Sequence, residues 1–312
     1  MAENYGLLYA GSKSRIAHWV IDQLPRGRVL IDAFAGGCAI THCALLSQKW
    51  QTIIANDING KYQQLFLDAV RGKYRDERRW ISREDFERLK SQDAFFACCW
   101  SFGNNLQVYM YSKVIEPYKR ALHYAIVLDD FAPMQELMPE VSQAVHEAIH
   151  LIRNTHDRRI TAQNVIVETL KRLTGDNYAH QIIQSNPLFR CIRHSRRGAQ
   201  SLGRLESLES LERLRVTSLS YDEIDIPDDA VVYCDPPYHA SDNILYEGTA
   251  GAFDHCAFYD WCVRVSKTNP IFISEYSIED DRFEIVAEKQ KMTSMSPVKS
   301  FNVTERLYTV KK

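Results

Sequence analysis

The stretch VLIDAFAGGCAI, residues 29–40, joins two local patterns that together set the fold. Its first part is an apolar run that ends at Asp32, which is typical of a buried β-strand. Ala33, Phe34, Ala35 and a glycine pair, Gly36 and Gly37, come next, and the chain then becomes apolar again. Glycine has no Cβ, so the backbone at such a turn approaches a ligand closely. The stretch predicts a strand, a glycine turn and the start of a helix.

Three other short apolar runs also end in glycine, proline or polar residues. They are QTIIANDIN (51–59), AVVYCDPPY (230–238) and NPIFISEYS (269–277). Helical patterns alternate with them, as in SKSRIAHWVIDQL (12–24) and AFDHCAFYDWCVRVSK (252–267). This alternation predicts an α/β fold whose mostly parallel sheet is covered on both faces. The polar ends of the runs would gather at the carboxyl edge of the sheet, where ligands bind in such folds.

The last part of the chain has a different strand pattern. RFEIVAEKQ (282–290) and TERLYTVKK (304–312) are two β-type segments joined by a polar stretch. They predict an antiparallel hairpin at the edge of the sheet.

The middle of the chain, residues 61–215, has few strand signals and is charged and helix-like, which predicts an inserted region. Residues 151–204 contain ten Lys and Arg against three acids, a balance of +7. Because the whole chain carries −2, the rest carries −9. Such a block indicates either a surface for a polyanion or a solvated helical face. At the end of this region SLGRLESLESLERLRV (201–216) predicts a helix or a connector without chemistry.

Composition limits the class of protein. The 312 residues are enough for one large domain, or for one domain with a sizeable insert. The sequence shows no signal-peptide pattern and no apolar run long enough to cross a bilayer. Its eight cysteines form no CxxC pair and mostly lie in apolar segments. We therefore expect reduced cysteines, a cytoplasmic location and no membrane partner.

The glycine pair and a following acid predict a nucleoside cofactor. Asp57 lies about 20 residues after the glycine turn, at the end of the next predicted strand, where a carboxylate suits two ribose hydroxyls. The dinucleotide fingerprint GxGxxG is absent, which disfavours a dehydrogenase. The alternative for the glycine pair alone is an ordinary tight turn.

A zinc-peptidase pattern, HExxH, occurs in VHEAIHL (145–151). His146 and His150 are four residues apart on one helix face, Glu147 lies between them, and Glu168 is a nominal third ligand. An apolar helical stripe runs beside them: Val141, Val145, Ile149 and Ile152. The stripe favours a surface helix with solvated histidines, so we expect no bound metal.

The segment DPPY, residues 235–238, ends its strand because neither proline has an N–H to donate. The Asp235 carboxylate and a backbone carbonyl of Pro236–Pro237 suit the two N–H groups of an exocyclic amine, and Tyr238 suits stacking on a flat base. Such contacts free the nitrogen lone pair to attack an electrophile on a neighbouring cofactor.

Several motifs resemble one known family. DPPY resembles the catalytic motif of amino-methyltransferases that use S-adenosylmethionine, and AFAGG (33–37) resembles their cofactor loop. YAGSKSRIA (9–17) resembles the motif that opens Dam-type (class α) DNA adenine N6-methyltransferases, and the order of the motifs is that of class α. SLSYDEI (218–224) resembles the strand that follows their insert. CWSFGNN (99–105) and IEPYKRALHYA (115–125) resemble phage and prophage members.

The resemblance implies a Rossmann-like methyltransferase domain formed by residues 1–60 and 216–312, with residues 61–215 as the target-recognition region. It makes Asp235, Pro236, Pro237 and Tyr238 catalytic. The implied cofactor residues are Tyr9, Gly11, Lys13, Asp32, Phe34, Gly36, Gly37, Asp57, Ile58, Ser220, Tyr221 and Asp235. The implied nucleic-acid contacts are Lys13, Arg190, Arg193, Arg196 and Arg197. The sequence departs from the family pattern at Cys38, Ala39 and Ser220.

The resemblance predicts transfer of a methyl group from S-adenosylmethionine to the N6 amine of a flipped adenine in double-stranded DNA. A cytosine N4-methyltransferase is the nearest alternative, although such enzymes more often carry serine in place of Asp235. Enzymes that methylate RNA or protein glutamine more often carry asparagine there. A DNA-binding relative that has lost catalysis is the alternative from another class. We expect a monomer or a weak dimer, and the motifs do not reveal the recognition sequence.

Overall fold

The computed structural model describes the following residues: 5–7, 11–174, 211–237, 253–293 and 301–312. The chain clusters into two compact units. Unit 1 comprises Met1–Arg75 and Ser201–Lys312, and unit 2 comprises Asp76–Gln200. The predicted insert, residues 61–215, includes the whole of unit 2 and, on both sides of it, residues that cluster with unit 1.

Unit 1 is built on one mixed sheet. Within the described residues its strands are β1 (Gly27–Asp32), β2 (Trp50–Asn56), β3 (Leu214–Thr217), β4 (Val231–Cys234), β5 (Ile271–Glu275), β6 (Phe283–Thr293) and β7 (Phe301–Val310), in the order β3-β2-β1-β4-β5-β7-β6. The first five in that order are parallel. The hairpin β6–β7 is antiparallel and adds to β5 at the edge. The predicted fold, a mostly parallel Rossmann-like sheet with an antiparallel C-terminal edge hairpin, is confirmed.

The helices of unit 1 follow the apolar patterns in the sequence. They are α1 (Ala17–Gln23), α2 (Ala39–Ser47), α3 (Lys61–Val70) and, after the insert, the helix His255–Val265. Asp254 caps the last of these by accepting a hydrogen bond from the Ala257 backbone N–H. Phe258 and Trp261 of that helix are buried in the core that also contains Val232 and Ile273 of the sheet.

Strand order places the polar ends of the central strands side by side. Asp32, the last residue of β1, lies opposite Ala55 of β2 and Tyr233 of β4. From β1 the chain continues to β2, which lies on one side of β1, and it later forms β4, which lies on the other side of β1. The edge between β1 and β4 is therefore a topological switch point, the place where α/β sheets bind ligands.

Two predictions about the segment before β4 were wrong. The stretch 201–216 was expected to be a helix or a connector, but its end, from Leu214, enters β3. SLSYDEI was expected to be the strand itself, whereas Tyr221–Glu223 form a short 3-10 helix. Ser220 and Glu223 form a capping box there, and these local hydrogen bonds replace the strand ladder.

Unit 2 is helical over its described residues. Its helices are α4 (Arg83–Leu89), α5 (Ala94–Trp100), α6 (Glu116–His123), α7 (Ala132–Leu137), α8 (Pro139–Ile149) and α9 (Thr155–Thr174). We number the helix His255–Val265 of unit 1 α10. The core of unit 2 includes Val141, Val145 and Ile149 of α8 and Ile166 of α9.

The HExxH pattern lies on helix α8, whose apolar stripe of Val141, Val145 and Ile149 is buried. The pattern residues and the nominal third ligand are all exposed: His146, Glu147, His150 and Glu168. In the ranges that the structure describes, no three His, Cys, Asp or Glu side chains are grouped to hold a metal ion. The same ranges contain no helix long and apolar enough to span a membrane.

Candidate active site

The catalytic candidate Asp235 directly follows strand β4 and forms an ion pair with Lys13 of the opening motif. The Lys13 Nζ lies 2.6 Å from Oδ1 and 2.8 Å from Oδ2 of Asp235. It also lies 3.9 Å from Oε1 of Glu305, which is fully buried on β7. Lys13 is itself buried, so the pair is shielded from bulk water. The sequence resemblance assigned Lys13 to cofactor or DNA and did not predict this contact with the catalytic carboxylate.

Asp32 is a buried carboxylate at the end of β1. Its Oδ2 accepts hydrogen bonds from the backbone N–H and the hydroxyl of Thr41, at 3.1 and 2.7 Å. No donor in the described part of the chain reaches Oδ1, which is also buried. The pKa of Asp32 is raised to about 7, mainly by burial and also by the nearby Asp235 and Asp57, while the hydrogen bonds from Thr41 oppose the rise.

Asp57 shapes the glycine turn from the end of β2. Its Oδ2 accepts a hydrogen bond from the Gly36 N–H at 3.0 Å, and its Oδ1 accepts one from the Asn59 N–H at 2.9 Å. Gln63 of α3 donates to the Gly36 carbonyl at 2.8 Å. Burial raises the pKa of Asp57, although these two backbone hydrogen bonds oppose the rise. A carboxylate has about four acceptor positions, so both oxygens keep capacity for a ligand hydroxyl.

One departure from the family pattern, Cys38, lies in the turn between β1 and α2. Cys38 precedes α2 with φ of 59°, in the left-handed region that favours glycine, and it is buried. Gly36 has φ of 45°. The chain thus adopts a glycine-like backbone at Cys38, at a cost of roughly 1–2 kcal/mol.

An aromatic cluster lies beside the glycine turn. The rings of Phe34 and Tyr221 are stacked, with centroids 5.7 Å apart and planes at 30°. Phe253 and Phe258 contact Phe34 edge-on, and Trp261 contacts Tyr221 edge-on. Burial raises the pKa of the Tyr221 hydroxyl. The structure therefore brings together Phe34 and Tyr221, which the sequence placed in one site across 187 positions of chain.

Asn56 is a structural residue of the site that the sequence analysis missed. Its amide donates to the carbonyls of Ala33 and Leu219 at 3.1 and 3.0 Å. Its Oδ1 accepts from the Thr217 hydroxyl at 2.8 Å and from the Leu219 N–H at 3.1 Å. Asn56 thus connects the residue after β1 with the segment that leads to Tyr221 through hydrogen bonds. A polar residue inside the apolar run TIIAN was the available signal.

The remaining candidates have varied placements. Ser220 is partly buried and begins the 3-10 helix, where its backbone N–H donates to Glu223. Ile58 is 56% exposed beside Asp57. Gly11 is exposed with φ of 84°. Pro236 is buried and Pro237 partly buried directly after Asp235.

Several candidates lie outside the described residues. They are Tyr9, Tyr238, Arg190, Arg193, Arg196 and Arg197. Their assignments stay predictions from the sequence.

Comparison with known proteins gives two matches. Residues 9–128 match the family model described as D12 class N6 adenine-specific DNA methyltransferase. The Type II methyltransferase M2.HphI of Haemophilus parahaemolyticus is 38% identical over 63 residues, which are 20% of this chain and 18% of that protein. This chain therefore aligns with about a fifth of the length of the curated relative that it matches. Residues 9–128 are thus similar to the D12 class N6 adenine-specific DNA methyltransferase family, and the mostly parallel sheet with its antiparallel edge hairpin is consistent with a Rossmann-like methyltransferase fold.

Proposed function

We propose that the chain is a site-specific DNA methyltransferase that transfers a methyl group from S-adenosylmethionine to N6 of a flipped adenine. The observation that carries this proposal is the position of Asp235. It follows β4 at the topological switch point, within the electrostatic reach of Asp32 at the end of β1. The family match points to the same activity.

The residues at this edge fit S-adenosylmethionine, which carries a nucleoside and two cationic groups. Asp57 offers acceptors for ribose hydroxyls, and the stacked pair Phe34 and Tyr221 offers an apolar surface for a flat ring. The buried Oδ1 of Asp32 is an acceptor that no described residue uses. The carboxyl groups of Asp32, Asp57 and Asp235 interact electrostatically, and of these three Lys13 forms its ion pair with Asp235, so the edge favours a cationic ligand. When bound, the cofactor supplies an electrophilic methyl group on sulfur.

Asp235 is the residue that we propose holds the target amine. One carboxylate oxygen accepts an N–H of the adenine N6, and a carbonyl of Pro236–Pro237 accepts the other. The Lys13 ammonium, bound to both oxygens of Asp235, fixes the orientation of the carboxylate. Tyr238 stacks on the base. These contacts hold the nitrogen with its lone pair free to attack.

DNA is the proposed partner, and unit 2 with its flanks is the proposed target-recognition region. Flipping a base costs a few kcal/mol, and stacking on Tyr238 returns roughly 1–3 kcal/mol of it. We propose that Arg190, Arg193, Arg196 and Arg197 contact phosphates and supply most of the affinity. A role in restriction–modification agrees with the name of the relative, a Type II methyltransferase. A phage or prophage origin remains a prediction from the sequence motifs.

The experiment that tests the proposed function is a methyl-transfer assay with tritium-labelled S-adenosylmethionine. Double-stranded DNA, RNA and protein are offered in parallel, and labelled DNA is digested to nucleosides. We expect label in DNA alone, as N6-methyladenine. Label as N4-methylcytosine would support the nearest alternative, and S-adenosylmethionine binding without transfer to any acceptor would support a relative that has lost catalysis.

A further inference from the structure

Residues 5–7, here called the strap, are buried against the glycine turn. Leu7 is 1% exposed, and its backbone N–H donates to the Gly37 carbonyl at 2.7 Å. The backbone N–H of Tyr5 donates to the Ser14 hydroxyl at 2.7 Å. The strap thus contacts both the turn between β1 and α2 and the segment that leads into α1. Nothing in the motif analysis assigned a role to these residues.

Gly6 is the closest point of this contact. It has φ of +64°, and a Cβ added to it would lie 2.4 Å from the Gly37 carbonyl oxygen and 2.6 Å from the Ala39 backbone nitrogen. Both neighbours are backbone atoms of the turn, so neither is able to rotate away as a flexible side chain does. Any other residue at position 6 must move the strap away from the turn or distort the turn itself.

His42 of α2 forms a hydrogen bond with Gly6. Its Nδ1 accepts a hydrogen bond from the Gly6 N–H at 3.0 Å. The ring is 6% exposed and contacts the rings of Tyr5 and Phe66, with centroids 5.8 Å away in each case. Because Nδ1 is the acceptor, this contact requires the tautomer with its proton on Nε2.

The strap therefore contacts both the glycine turn, next to Asp57, and the segment that contains Lys13. On one side its Leu7 N–H binds the carbonyl of Gly37. The preceding residue, Gly36, donates its own N–H to Asp57. On the other side the strap binds Ser14, the residue after Lys13, whose ammonium holds Asp235. A displaced strap would therefore weaken the positioning of the glycine turn and of Lys13, which orients the Asp235 carboxylate.

We propose that Gly6 and His42 are positioning residues for the methyl-transfer site, and that they hold the strap against the glycine turn so that cofactor binds tightly. This inference rests on the proposed function. Neither residue contacts the reacting atoms. Their effect passes through the backbone at Gly37 and through Ser14.

The first test compares Gly6→Ala with Gly103→Ala by calorimetric titration with S-adenosylmethionine. Gly103 is a matched control because its φ of +61° imposes the same backbone strain, while nothing lies within 4 Å of an added Cβ. We expect Gly6→Ala to raise the Kd by at least about tenfold, since displacements of about 1 Å at a site have large effects. Gly103→Ala should stay within about threefold of wild type, a difference below about 1 kcal/mol.

The second test uses His42 and separates positioning from general stability. In His42→Asn the side-chain Oδ1 replaces Nδ1 as the acceptor for the Gly6 N–H, whereas His42→Leu removes the acceptor at similar volume. We expect His42→Asn to keep the wild-type Kd within about threefold and His42→Leu to weaken binding as Gly6→Ala does. Circular dichroism melting checks that each variant is folded.

The outcomes distinguish the two proposals. If wild-type protein does not bind S-adenosylmethionine, the proposed function fails. If wild type binds it and Gly6→Ala and His42→Leu bind equally well, the strap has no positioning role and this inference is overturned. Equal weakening by His42→Asn and His42→Leu would also overturn it, because the hydrogen bond to Gly6 would then not matter.

Discussion

Replacing Asp32 with asparagine is expected to change how the stability of the protein depends on pH. The Asp32 carboxylate is 1% exposed, and burial raises its pKa from 3.8 to about 7. Between these values the folded state keeps a proton on Asp32 that the unfolded chain releases. The free energy of unfolding therefore falls as pH rises from about 4 to about 7, and this contribution is fully lost above about pH 7. An asparagine at this position is neutral throughout, so the variant lacks this dependence.

The magnitude follows from the interval between the two pKa values. One bound proton changes the free energy of unfolding by about 1.4 kcal/mol per pH unit. The window from pH 5 to pH 7 covers two pH units, and the slope falls to about half at pH 7, so the difference in stability between wild type and Asp32→Asn should change by roughly 2 kcal/mol across it. The variant should become the relatively more stable protein as pH rises. Its amide oxygen still accepts the hydrogen bonds that Thr41 makes with Asp32.

The assay is urea unfolding of both proteins at pH 5, 6, 7 and 8 without cofactor, followed by tryptophan fluorescence. Asp281→Asn serves as the control, because Asp281 is exposed on the surface of the same unit. A stability difference between wild type and Asp32→Asn that stays constant from pH 5 to pH 7 would refute the argument. It would mean that Asp32 titrates in the fold as it does in the unfolded chain.

Three further predictions concern the cofactor, DNA and metal. Asp57→Ala should weaken S-adenosylmethionine binding by at most a few kcal/mol in calorimetry, and an unchanged affinity would remove the residue from the site. Arg196→Ala and Arg197→Ala, at positions outside the described residues, should each reduce the salt slope of log affinity by about one on target and scrambled duplexes alike. Unchanged slopes would exclude both from the DNA surface. Chelator treatment and alanine at His146 and His150 should leave methyl transfer intact, and loss of activity together with stoichiometric zinc would reverse this.

The central strands could be predicted because each is a short apolar run that ends at a polar residue. The run that ends at Asp32 is buried, so Val29, Leu30 and Ile31 are apolar, and the polar residue Asp32 marks the end of the strand. The same holds for the run that ends before Asp235. The edge hairpin was also predicted, from its two β-type segments. Side chains placed at strand ends by this logic, such as Asp57, lie at one edge as expected.

Contacts between distant segments could not be predicted in this way. The pair Lys13 and Asp235 joins positions 222 residues apart, and no local pattern specifies it. Strand β3 has four residues with a partly exposed face, so its sequence lacks the strong periodicity of the central strands. The fit of Gly6 against the glycine turn depends on backbone geometry that only the folded chain creates.

The most direct test of the account is methyl transfer by Asp235→Ala, measured beside calorimetric binding of S-adenosylmethionine to the same protein. Asp235 is proposed to hold the target amine, while Asp57 and the glycine turn are proposed to supply most of the cofactor binding. We therefore expect that the variant transfers no detectable label to DNA while its Kd for S-adenosylmethionine stays within about tenfold of wild type, about 1.4 kcal/mol. Substantial transfer by Asp235→Ala, with N6-methyladenine as the product, would contradict the proposed mechanism.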